Sequence, residues 1–77
     1  MEADRLIKGL GLALRERREA QSMSQEELGH ATSIHRNYIG GIERGERQPT
    51  VRVIVALGDA LGISAKELFA RAEELSR

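Results

Sequence analysis

QEELGHATSIHRNYIGGIERG, Gln25 to Gly45, has the apolar spacing of two short helices held at an angle by a tight turn. Leu28, Ile34, Ile39 and Ile42 fall where such a pair needs contacts to fix its crossing, and the crossing itself needs a small residue, which is Gly29. Just upstream, Ser24-Gln25-Glu26-Glu27 is a capping box, in which the Ser24 hydroxyl and the Glu27 carboxylate satisfy each other's free N–H groups. Met23 and Leu28 flank it with the spacing of a hydrophobic staple. The first of the two helices ends near Thr32, the turn passes through Ser33 and Ile34, and Gly45 stops the second. Serine at position 33 must tolerate a left-handed backbone or alter the turn.

On the N-terminal side, Leu6, Leu10, Ala13 and Leu14 recur at helical spacing, with Ile7 on the flank. Gly9 and Gly11 each weaken that helix by roughly 1 kcal/mol relative to alanine, so its early turns are expected to fray. On the other side, Pro49 closes a loop and Thr50 caps a helix with the core stripe Val51, Ile54, Val55, Leu57 and Leu61, ended by Gly62. Ser64-Ala65-Lys66-Glu67 then repeats the capping box. No strand signal or internal repeat interrupts the pattern. The fold expected is all-α: a five-helix bundle in one domain over residues 1–77, with helices at about 4–20, 24–32, 35–44, 50–61 and 64–75.

Composition excludes several classes of function. The chain has no cysteine and only two histidines, which argues against a disulfide framework and against a metal site. No nucleophile, base and orienting group can be assembled, so neither catalysis nor a cofactor is expected. No run is long enough to span a membrane, and Glu2, Asp4, Arg5 and Lys8 break up any signal peptide, so a cytoplasmic protein is expected. The net charge is zero, whereas many nucleic-acid binders are basic. What a phosphate feels is the local field, screened over roughly 10 Å. Between Ser33 and Val53 the chain carries Arg36, Arg44, Arg47 and Arg52 against only Glu43 and Glu46.

Between its apolar anchors the third helix is expected to show Arg36, Asn37, Tyr38, Gly40 and Gly41 to solvent. Arginine pairs with guanine and asparagine with adenine, while tyrosine reaches a phosphate or a thymine methyl. Two glycines make sense if the helix lies close against a groove or a partner chain.

With LRERRE before SQEEL, then HRNYIGGIERGERQPT and ALGDALGIS, the chain from about Leu10 to Phe69 resembles the Cro/repressor-like helix-turn-helix family of bacteria and phages. HRNYIGGIERG is most similar to the controller proteins of restriction–modification systems, dimeric regulators of their own operons. The resemblance implies a lambda-repressor-like fold that binds double-stranded DNA with its third helix. It implies a phosphate contact for Gln25, base contacts for Arg36 and Asn37, and phosphate contacts for Arg44, Arg47 and Gln48. His35 would cap the recognition helix or touch the backbone, Tyr38 would contact DNA or pack under the loop, and Arg18 with Glu43 would form an internal ion pair.

The fifth helix carries Leu68, Phe69, Ala72 and Leu75, more apolar surface than a short terminal helix needs. With Leu68 inward, Ile63, Phe69 and Ala72 are expected at a two-fold interface. Two recognition helices would then lie about 34 Å apart and read a near-palindromic operator. RNA polymerase is a further candidate partner. Rival readings are an antitoxin that represses its own operon, and a helix-turn-helix kept as a protein-interaction module.

Overall fold

The computed structural model describes residues 2–77. Its helices are α1 (Glu2–Ala20), α2 (Gln25–Thr32), α3 (Arg36–Glu43), α4 (Val51–Leu61) and α5 (Ala65–Leu75). Four of them start behind a side chain that accepts from their free N–H groups: Ser24, His35, Thr50 and Ser64. Both capping boxes are formed. The Ser24 N–H donates to the Glu27 carboxylate at 2.9 Å, and the Glu27 N–H returns a bond to Ser24 Oγ at 3.0 Å. These bonds hold the Glu27 carboxyl below its ordinary value of 4.5, the Ser24 backbone bond contributing most. Glu67 is lowered likewise, chiefly by the Ser64 hydroxyl. A lowered carboxyl contributes stability that is present above its unfolded pKa and is lost as pH falls through its folded one. The caps therefore weaken only in acid, below about pH 4.5.

The turn between α2 and α3 takes the left-handed conformation at Ser33, with φ 59° and ψ 27°. Gly29 sits at the crossing, where a Cβ would come within 2.6 Å of the Ile34 carbonyl oxygen. The long α1 packs along α5 and also against α3 and α4, while α2 rests on α3 and α4. Leu10, Leu14, Leu28, Ile39, Ile42, Leu57, Leu61 and Leu68 form the common core.

Three expectations are corrected. α1 is continuous from Glu2 through both glycines, because these are buried contact points and not exposed weak spots. A Cβ on Gly11 would collide with the Ile42 carbonyl oxygen, and one on Gly9 with that of Ala72. The helical cost of glycine is offset by backbone-to-backbone approach across two helix pairs. On α4, Val51 and Val55 do not belong to the core stripe; they are 75% and 43% exposed. The apolar residues of that helix cover more of its circumference than the bundle can bury. Ala72 is completely buried at the α1–α5 crossing, so it has no surface to offer a second chain.

Gly11→Ala should therefore lower stability despite alanine's better helix propensity. Overpacking of about 1–3 kcal/mol outweighs roughly 1 kcal/mol of propensity. Thermal denaturation should show a fall of several degrees in Tm; a rise would mean α1 is not pressed against the end of α3.

Candidate nucleic-acid interface

α3 is held from its C-terminal end and open at its start. Arg18 of α1 donates to Glu43 through Nε at 2.7 Å and Nη2 at 2.9 Å, and both side chains are buried. Its third nitrogen, Nη1, donates to the Met23 carbonyl at 2.7 Å, just ahead of α2. The bond to Glu43 raises the Arg18 pKa further, against the opposing effect of desolvation. Gln25 completes the set, its amide nitrogen donating to Glu43 at 3.0 Å. One carboxylate thus links α1, α2 and α3. Gln25 is half-buried, and one of the N–H groups of its amide is thereby engaged inside the protein.

Ile39, Gly40, Gly41, Ile42 and Glu43 are all buried. The expectation that Gly40 and Gly41 face solvent is corrected, since the protein's own side chains cover them. Gln25 and Arg44 lie over Gly40, and the stem of Arg47 lies over Gly41. Side chains at these positions would displace the arginines, which is a reason for glycine independent of any ligand.

The first turn of α3 is different. Arg36 and Asn37 are exposed, and His35 caps the helix by accepting the Asn37 N–H on Nδ1 at 3.0 Å. That bond requires the imidazole proton on Nε2. Tyr38 is half-buried, and its hydroxyl donates to the Gln48 carbonyl at 3.3 Å, so the ring packs under the loop that follows α3. Gln48 and Arg47 are exposed on that loop, and Arg44 is paired with Glu46 at 3.1 Å. Arg36 leans on Glu26 of α2 at 2.8 Å, across an open concave surface floored by Gly29, Ser33 and Ile34.

This arrangement can admit a polar ligand of regular shape. A short helix projects its first turn, two base-complementary side chains lead, and arginines flank it on the following loop. The contacts of Glu26 with Arg36 and of Gln25 with Glu43 join residues ten and eighteen positions apart, which local sequence pattern does not reveal. Among the described residues, no group of three or more His, Asp or Glu side chains could hold a metal ion, and no helix is long and apolar enough to cross a membrane.

Comparison with known proteins agrees with this geometry. Residues 14–68 match the family model described as helix-turn-helix. Control protein C.SmaI of Serratia marcescens is 38% identical over 58 residues, covering 75% of this chain and 69% of that protein. Control protein C.BamHI of Bacillus amyloliquefaciens is 42% identical over 48 residues, 62% of this chain and 59% of that protein. Among solved structures, the restriction–modification controller protein C.AhdI of Aeromonas hydrophila superposes with a TM-score of 0.76 at 43% identity, covering 82% of this chain and 94% of its own. The controller protein C.Esp1396I, solved as a tetramer on its natural 35 base-pair operator, gives 0.81 at 25% identity over 92% and 93% of the two chains.

Breaking the buried Arg18–Glu43 pair from one side should cost far more than breaking an exposed pair. Glu43→Gln leaves a buried guanidinium without its counter-charge and should cost about 3–5 kcal/mol in urea denaturation. Arg71→Ala removes an equally short but exposed pair with Glu16 and should shift the midpoint far less. Equal effects would contradict this assignment.

Proposed function

Since the chain belongs to the helix-turn-helix family, we propose that it is a sequence-specific DNA-binding regulator of transcription, acting as a homodimer to control the genes of a restriction–modification system. The observation that carries this reading is the exposed first turn of α3, where Arg36 and Asn37 lead from a helix otherwise clamped into the core. The major groove accepts a helix, and arginine and asparagine are the side chains best matched to guanine and adenine edges there. Arg44, Arg47 and Gln48 follow as backbone contacts, and the α2 N-terminus supplies a further phosphate site. Tyr38 acts through the loop it supports. The role is one of binding, with no chemistry performed on the DNA, and it belongs in the cytoplasm, where the operator is.

The proposed two-fold interface uses surface that the fold leaves uncovered. Val51 and Val55 lie one turn apart on the outer face of α4, beside a groove lined by Leu6, Pro49 and Phe69. Ile63 and Phe69 are half-buried and contribute their outer edges, and Ala72 drops out of the expected set.

Two measurements test these statements. In gel shifts with a duplex selected from a randomised library, Arg36→Ala should reduce discrimination at one base pair by about ten- to a hundred-fold, whereas Arg47→Gln should weaken binding to all sequences alike. An Arg36→Ala protein as selective as the wild type would defeat the base-reading role. In sedimentation equilibrium, Val51→Asp should convert a dimer to a folded monomer; a wild type that stays monomeric at high concentration would rule out the two-fold reading.

A further inference from the structure

A carboxylate on the face that approaches DNA is out of place. Glu26 sits in the first turn of α2, exposed, opposite the leading arginine of α3. Phosphates repel it, so it weakens binding to DNA of any sequence. Its sequence position gives it no role in the adjacent capping box, which uses Ser24 and Glu27.

Its contact with Arg36 has a specific form. Glu26 Oε2 accepts from Nη1 alone, at 2.8 Å. Among the described residues, nothing in the protein hydrogen-bonds to Arg36 Nε or Nη2. Those two nitrogens form the side edge of the guanidinium, whose parallel N–H groups match the O6 and N7 acceptors of guanine. An unsupported arginine is long and flexible, and reaches a phosphate as readily as a base edge. Tethered through Nη1, it presents one fork in one direction.

Resting on the DNA-binding reading above, we propose that Glu26 is a positioning residue. It holds the Arg36 fork toward a guanine and gives up non-specific affinity in exchange for discrimination at that base pair. The acid acts through the arginine and touches no base itself.

The test uses the full chain, a duplex selected by the wild type from a randomised library, the same duplex changed at the base pair that Arg36→Ala ceases to discriminate, and an unrelated duplex. Glu26→Ala should bind the unrelated duplex several-fold more tightly, yet lose about five- to ten-fold in discrimination at that base pair. In an Arg36→Ala background the same change should leave discrimination untouched, because the two residues act as one unit. Glu26→Gln, which keeps an acceptor oxygen, should fall between. Glu26 is exposed, so thermal melting should confirm that each variant folds. If Glu26→Ala tightens every duplex equally, or lowers discrimination as much without Arg36 as with it, the positioning role is wrong. A wild type that selects no sequence would instead defeat the DNA-binding reading itself.

Discussion

A single buried ion pair sets the pose of α3, the helix proposed to meet DNA. Arg18 uses all three of its nitrogens, two on Glu43 and one on the Met23 carbonyl, and Gln25 fills the remaining approach to the same carboxylate. Because these groups come from α1, α3 and the start of α2, the angle between the two short helices is fixed by charge as well as by packing. A buried pair of this kind contributes little net stability relative to apolar residues of the same volume, since desolvation offsets much of the attraction. What it contributes is geometry. Two parallel N–H···O bonds from Arg18 to Glu43 tolerate little sliding or rotation of α3.

The same economy explains how a chain of zero net charge can face a polyanion. Its acids are spent locally: Glu27 and Glu67 on caps, Glu43 in the core, Glu16 on Arg71 of α5. Glu16 is held below the ordinary carboxyl range mainly by its hydrogen bonds to Arg71. Arg36, Arg44 and Arg47 remain exposed at the start of α3 and just after its end, with Glu26 and Glu46 as the acids opposing them there. Charge summed along the sequence says little about such a surface; its distribution around α3 says more.

Local features were legible from the residues alone. Ser24 and Glu27 are three positions apart, so their capping box needs no tertiary information, and the same holds for Ser64 and Glu67. The small residue at Gly29 followed from the spacing of the two short helices, while for Ser33 the residues left two outcomes open, a left-handed backbone or an altered turn, and the first is the one found. The exposed Arg36 and Asn37 were legible too. What could not be read depends on helices distant in sequence. Gly9 and Gly11 look like weak points until Ala72 and Ile42 are brought against them. Gly40 and Gly41 look outward until Gln25, Arg44 and Arg47 fold over them. Val51 and Val55 share a helical stripe with Ile54 and Leu57, and periodicity cannot tell which edge of a wide stripe the bundle leaves uncovered.

The central claim is that the first turn of α3 meets base edges. It is tested most directly by titrating isotopically labelled protein with a selected duplex and following side-chain NMR signals. The account requires the Arg36 Nε–H and Asn37 amide resonances to shift with that duplex and to respond much less to an unrelated one. Large shifts confined to the α4–α5 surface, with Arg36 and Asn37 unmoved, would contradict it.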